Sequence, residues 1–360
     1  MAGADAGAGR PARAGHRQAA APLPPASPRR RRGRAVIRRW LLALSLLLPL
    51  AAHAGDARWD DFVTRFVADD GRVVDTGNGG ISHSEGQGYT LLLAVAHDDR
   101  ATFGRVWQWT QTRLQTRGDA LFSWQWKPDT DGGKVGDRNN ASDGDLLIAW
   151  ALLRGAQRWK QPAYRADALK ILADVRSRLI RPSRFGPLLL PAAQGFEKPE
   201  GVIVNPSYWL FPAFAEFTRT DRSPVWAALR RSGLALLAAG RFGQWQLPPD
   251  WLLAGDPPAP AMSRQYGYNA LRVPLYLAWA GLDTPERMQP FIAFWDAHPD
   301  HLPAWTDFDG NTVDPDDAQA GIHAIEALVR KHRFGDGSNR DYYPAVLDLL
   351  SRQAAREMRR

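Results

Sequence analysis

Ser84-Glu85-Gly86-Gln87-Gly88-Tyr89-Thr90-Leu91-Leu92-Leu93-Ala94-Val95-Ala96 opens on small and polar residues and passes into an apolar run. A serine three residues ahead of a glutamine has the spacing of a capping box, so the stretch reads as the start of a buried helix with Glu85 at its mouth. A second segment, Asn140-Ala141-Ser142-Asp143-Gly144-Asp145, repeats the arrangement ahead of Leu146-Leu147-Ile148. Ser142 and Asp145 take the places of serine and reaching side chain. Both segments put a carboxylate at a helix entrance.

Outward from these two helices the pattern stays helical. Apolar residues recur at three- and four-residue spacing over 59–67, 89–96, 103–114, 146–153, 163–179, 206–217, 224–239, 266–281, 285–297, 316–330 and 341–356. Strand-like alternation is scarce, so the chain reads as all-α with about eleven helices. The joining segments 69–84, 127–140, 181–205 and 247–265 are long and rich in Gly, Pro and Asp, whereas the connections between them are short. Short turns on one side and long loops on the other predict a closed ring of helical hairpins with a cleft at the loop end. A solenoid would need a recurrent sequence period, and none is found.

The formal net charge of +8 is misleading until it is located. Residues 1–54 contain ten Arg and one Asp, and the remainder carries 36 basic against 37 acidic residues. A folded body near neutrality has no basic face for a nucleic acid. The leader itself has an Arg-rich stretch through Arg39, an apolar run over 40–50 and Ala52-His53-Ala54 as a small-x-small site. It therefore reads as a disordered Arg-rich extension and a signal peptide, with maturation at Gly55 and export to the periplasm or beyond. The apolar run falls short of the roughly 20 residues a spanning helix needs, so no stable membrane insertion is expected after cleavage. With zero Cys there is no disulfide framework and no thiolate chemistry. Walker, Gly-x-Ser-x-Gly and His-Glu-x-x-His motifs are absent too. Asp129-x-Asp131 and Asp307-x-Asp309-x-Asn311 lack the Gly and Glu of a calcium loop and read as solvated loops, so neither metal nor cofactor is expected.

Two carboxylates at helix mouths in a chain with 15 Trp point to glycosidic-bond chemistry. There one carboxyl protonates the leaving oxygen and aromatic faces hold sugar rings. The four segments Ser84-Glu85-Gly86-Gln87-Gly88-Tyr89, Asn140-Ala141-Ser142-Asp143-Gly144-Asp145, Asn205-Pro206-Ser207-Tyr208 and Tyr268-Asn269-Ala270-Leu271-Arg272-Val273 occur in an order that resembles glycoside hydrolase family 8 across nearly all of residues 55–360. The resemblance implies one catalytic domain with an (α/α)6 barrel fold, inversion at the anomeric carbon and endo-β-1,4-glucanase activity on cellulose. It also implies a β-glucan as the binding partner, with the bacterial cellulose synthase machinery as a further one. By the same resemblance Glu85 is the general acid, Asp143 contacts the sugar at the cleavage point, and Trp126 and Tyr208 line the cleft.

Position 269 departs from the pattern. Many relatives have Asp there, and a neutral amide is a poor proton acceptor. The preceding loop offers Asp250 and Asp256 as bases, although Asp250 reads first as a loop cap or brace and Asp256, beside Pro257, first as a turn residue. Asn269 would then orient the attacking water. Trp107 and Trp150 lie on apolar helical faces and read as packing, while Trp124 and Trp126 are placed to meet glucose rings. Arg272 shares a helix face with Asn269 and is expected to bond a sugar hydroxyl or a cleft carboxylate, or else to sit in a buried ion pair. The rival readings are a non-catalytic glucan-binding component of an export machine and a hydrolase of the same fold acting on chitosan, xylan or mixed-linkage glucan.

Overall fold

The computed structural model describes residues 56–359, and the leader, its cleavage site and the Gly55 start lie outside the described residues. Within them are eleven α-helices: α1 (Ala57–Phe66), α2 (Ser84–Ala96), α3 (Arg100–Arg113), α4 (Ser142–Trp159), α5 (Pro162–Arg178), α6 (Phe211–Asp221), α7 (Val225–Ala239), α8 (Arg272–Trp279), α9 (Pro285–Asp296), α10 (Ala320–Arg330) and α11 (Tyr342–Met358). Helix packing runs α2 to α4, α4 to α6, α6 to α8, α8 to α11 and α11 back to α2, which closes a ring. α10 lies against both α8 and α11, while α3, α5 and α7 pack outside α2, α4 and α6. Of the ring helices, α2, the first three turns of α4 and α8 are therefore buried on nearly every side. In α2, all residues from Leu91 to Val95 are buried, as are all from Ser142 to Leu153 in α4. A helix apolar all round is stable in water only as the inner layer of such a structure.

The N-terminal ends of α2, α4, α8 and α11 carry Glu85, Asp143, Arg272 and Tyr343, and a short 3-10 turn Pro206–Tyr208 precedes α6. At the opposite end Arg154, near the close of α4, bridges Glu216 of α6 and Glu357 of α11. The long loops accordingly gather over the N-terminal ends. They are not structureless: β1 (Ser82–His83), β2 (Ser123–Lys127) and β3 (Lys134–Asn140) form an antiparallel sheet. Four further strands, β4 (Glu197–Lys198), β5 (Gly201–Val204), β6 (Leu252–Leu253) and β7 (Ala259–Pro260), make a second.

Three expectations are corrected here. Ser84 and Ser142 are first residues of their helices and not caps. Gln87 Oε1 instead accepts from Val73 N and Gln87 Nε2 donates to Thr110 Oγ1, while Asp145 accepts from Phe122 N and Asn140 Nδ2. Both reaching side chains thus tie neighbouring segments to the ring, which a buried polar group does in preference to closing its own helix end. The helix expected over 266–281 begins only at Arg272, because Gln265 and Tyr266 pair with Asp307 and Thr306 in a two-stranded ladder. The helix expected from 206 is interrupted after Tyr208 and starts at Phe211.

Candidate active site

The approach of α2 to α4 decides the site. A Cβ on Gly88 would stand 2.6 Å from Leu147 Cβ, and one on Gly144 would stand 2.2 Å from Ser84 Oγ. Bare glycine lets the two helix starts touch, so Glu85 and Asp143 converge on one side chain, the guanidinium of Arg272. Arg272 is 2% exposed. Its Nη1 pairs with Glu85 Oε1 and stands 3.5 Å from Asp143 Oδ2. It also donates to Tyr89 Oη at 3.2 Å, while Nη2 donates to Asn269 Oδ1 at 2.9 Å. The expected ion pair of Arg272 and its contact with cleft carboxylates are therefore one arrangement.

Glu85 keeps part of its surface open, with 17% of its side chain exposed. Tyr89 Oη lies 3.2 Å from Glu85 Oε1 and 2.5 Å from Tyr276 Oη, so its single proton serves one or the other. Burial drives the Tyr89 and Tyr208 phenols well above their ordinary range and pushes Tyr276 up to about 12. These hydroxyls stay neutral donors. Burial likewise pushes Asp143 up to about 7, against the Gly144 N–H that its Oδ1 accepts at 2.8 Å and the field of His83. Near neutrality Asp143 therefore exchanges a proton readily, beside an acid, within a buried polar cluster.

Asn269 is held from two sides. Its Oδ1 accepts from Arg272 Nη2 and from Asn205 Nδ2, both at 2.9 Å, and Asn205 is itself fixed by accepting from Ser207 N and Oγ. The amide oxygen accepts two hydrogen bonds, and among the described residues Nδ2 donates none, which leaves it to act on a ligand or a water. Asn269 is a donor and not a base.

Of the two loop carboxylates, Asp250 is 3% exposed, and its Oδ1 accepts from the backbone N–H groups of Ala270, Gly267 and Asn269 at 2.8, 3.1 and 3.1 Å. Burial raises its pKa against those bonds. Its geometry is that of a brace under the turn that carries Asn269. Asp256 sits on the exposed turn between β6 and β7, paired with Arg184, and among the described residues no hydrogen bond or ion pair joins it to the cluster. Asp256 is thus set apart from the cluster, while Asp250 lies beneath Asn269 with its second oxygen, Oδ2, accepting from Gln265 Nε2 at 3.3 Å.

The tryptophan expectation divides. Trp124 is half-buried, and its Nε1 donates to Asp137 Oδ2 at 2.9 Å. Trp126 is 6% exposed, with Arg72 over its ring at 4.9 Å and Trp109 edge-on at 5.6 Å. It is a packing residue and offers no open face. The cause is a pair of register shifts between β2 and β3 at Ser123/Gln125 and Gln125/Trp126, because a bulge re-aims side chains that plain alternation would put on one face. Trp107 and Trp150 are buried as expected. Tyr208 lies with Arg272 5.9 Å from its ring centroid and meets Trp251 edge-on at 6.1 Å, and Phe196 stacks on Trp251 at 5.6 Å. Trp251, Phe196, Tyr276 and Asn205 were not among the expected site residues. Tyr89 and Tyr276 could have been found, since each stands four residues beyond a site charge on the same helix face. Among the described residues no group of His, Asp and Glu is arranged to hold a metal ion.

Residues 35–357 match the family model for glycosyl hydrolases family 8. The chain is 39% identical over 316 residues to a probable endoglucanase of Novacetimonas hansenii, covering 83% of this chain and 90% of that one. Among solved structures it superposes on an endo-β-1,4-glucanase from Acetobacter xylinum with a TM-score of 0.78 and 38% identity, covering 84% of this chain and 98% of the other. An endoglucanase from Klebsiella pneumoniae, described as a family 8 glycosyl hydrolase, gives a TM-score of 0.80 at 34% identity, with 84% of this chain and all of that one covered. These relatives match the whole ring of hairpins, the (α/α)6 barrel, and not one motif within it. A barrel whose inner helices deliver Glu85, Asp143 and Arg272 to one cluster, matched to that family over this length, belongs to glycoside hydrolase family 8.

Proposed function

We propose that the protein is an endo-β-1,4-glucanase that cuts internal glucosidic bonds of cellulose with inversion. Glu85 gives its proton to the glycosidic oxygen as the bond to the anomeric carbon breaks. A water attacks that carbon from the opposite face, and its proton passes to a carboxylate or to solvent. The observation that carries the reading is the partly open Glu85 held at a helix mouth by Tyr89 and Arg272 beside Asp143. The endoglucanase relatives support the substrate class. Asn269 Nδ2 orients the water, while Trp124 and the Tyr208–Trp251–Phe196 group supply aromatic surface for sugar rings.

Export to the periplasm, cleavage ahead of Gly55 and service to a cellulose synthase belong to the same reading, supported by the arginine-rich, apolar, small-x-small order of residues 1–54. N-terminal sequencing of the native protein tests the cleavage.

One observation favours the non-catalytic alternative, a glucan-binding component: the oxygen of Asn269 is engaged twice, Asp250 Oδ1 is taken up by three backbone N–H groups, and Asp256 is paired with Arg184 on an exposed turn. Depolymerisation of carboxymethyl-cellulose, with product anomers followed by NMR, separates the two. Release of the inverted anomer supports the hydrolase. A protein that binds cello-oligosaccharides yet releases no new chain ends is the binding component.

A further inference from the structure

We infer that His83 is a positioning residue for Glu85 and a proton-sensitive cap on the helix that carries it. The first N–H groups of a helix have no partner within the helix and are usually met by Ser, Thr, Asp or Asn. In α2 that place is taken by an imidazole: Gly86 N donates to His83 Nδ1 at 3.0 Å. An Nδ1 that accepts holds a lone pair, so the neutral ring carries its hydrogen on Nε2. Nε2 faces Asp75 Oδ2 at 3.3 Å, and Asp75 is held in turn by Gly77 N on Oδ1 at 3.2 Å. A carboxylate therefore fixes the tautomer, the tautomer fixes the cap, and the cap fixes the backbone beside Glu85.

The surroundings make this arrangement sensitive to one proton. His83 Nδ1 stands 3.9 Å from Glu85 Oε2, and only 12% of the imidazole is exposed. The titratable groups around the ring are Asp75 from the loop before β1, Glu85 on α2, Tyr342 of α11 edge-on at 5.9 Å, and Asp143 of α4, whose anion a protonated ring would favour. Among the described residues no hydrogen bond joins the ring to a Lys or Arg. A proton on Nδ1 would take the acceptor away from Gly86 N and present a donor toward Glu85 Oε2, opposite the oxygen that Arg272 and Tyr89 hold. Acidification thus loosens the helix start and re-aims the carboxyl together. Ser or Asn would cap the helix without either effect, so the imidazole adds a response to pH that a neutral cap lacks.

The inference rests on Glu85 being the acid. Its test compares pH profiles of kcat/KM on carboxymethyl-cellulose for the full-length wild type, His83→Ala and His83→Asn. The imidazole tautomer of the wild type is read by NMR on histidine-labelled protein. In His83→Asn the amide oxygen reaches the place of Nδ1 and caps without titrating. Misplacing the acid by a fraction of an ångström should cost His83→Ala about tenfold or more in kcat at neutral pH. His83→Asn should recover most of that loss and hold its activity further into acid than the wild type. The wild-type ring should show the Nε2–H form. Coincident acid limbs for wild type and His83→Asn, or an Nδ1–H ring, overturn the inference even where Glu85→Gln is inactive. A Glu85→Gln variant that keeps cleaving overturns the acid assignment and this role with it.

Discussion

Glu85 and Asn269 differ in what each can give up. Glu85 is the cluster's exposed carboxyl, and Glu85→Gln keeps its shape and its bond from Tyr89 while removing the transferable proton. Loss of general-acid assistance should lower turnover by roughly 10² to 10⁴ while cello-oligosaccharide binding and the thermal melt stay near wild type. A variant holding a tenth of the wild-type rate refutes the assignment. Asn269 presents a donor, so Asn269→Ala should slow turnover with little change in binding. Asn269→Asp is the sharper probe. Its carboxylate would keep the bonds from Asn205 and Arg272 on one oxygen and turn the other to the water, creating a base where the wild type has an amide. Product anomers and initial rates read the result: a faster variant means the wild type works without a good base at this position. A slower one means that the water is oriented by the amide and deprotonated from another direction.

At the scale of elements, the site depends on how closely α2 and α4 approach. Gly144→Ala would set a methyl against Ser84 Oγ, Ser84 Cβ and the backbone N of Glu85 at 2.2, 2.7 and 2.8 Å. The helices must part, at a cost of about 1 to 3 kcal/mol in stability. The same shift moves Glu85 away from Asp143, so kcat should fall about 10²-fold in protein that is still folded. Circular dichroism melts and assays on the folded fraction check the two effects separately, and a folded variant with unchanged kcat would show that the approach serves packing alone. Elements also explain what was legible beforehand. Helix periodicity was readable because the ring helices must be apolar to be buried, and Glu85 and Asp143 because each stands at the head of such a run. Caps were misread, since serine–glutamine spacing is satisfied just as well by side chains that reach across to Val73 and Thr110. The segment 127–140 reads as a loop because Lys134-Val135-Gly136-Asp137-Arg138-Asn139-Asn140 lacks alternation, yet it pairs with β2 as β3, and the bulge between them turns Trp126 inward. The late start of α8 follows from pairing of Gln265 and Tyr266 with the distant strand at Thr306 and Asp307, which no local pattern announces.

For the whole molecule, buried carboxylates make stability depend on pH in an unusual direction. Burial pushes Asp143 up to about 7 and Asp145 up to about 8, whereas an unfolded aspartate titrates near ~3.9. Between those values the folded chain binds more protons than the unfolded one, so stability falls as pH rises. Carboxylates lowered by ion pairs, such as Asp56 and Asp119, act with the opposite sign, but theirs is fully present above the unfolded value and adds no slope near neutrality. His97 also opposes the trend, because burial lowers its pKa and stability then rises with pH until the unfolded value of about 6.5 is passed. From about pH 6.5 to about pH 8 the two aspartates set the sign. Thermal melts across that interval should show Tm declining in the wild type. Asp145→Asn, whatever its absolute Tm, should show a shallower decline, because the group titrating at the upper end is gone. A wild-type Tm that stays level or climbs through this interval would mean that neither aspartate holds its proton there, Asp145 included. It would then be stabilised as the anion by Phe122 N and Asn140 Nδ2, the two donors that fasten the β2–β3 segment to the start of α4.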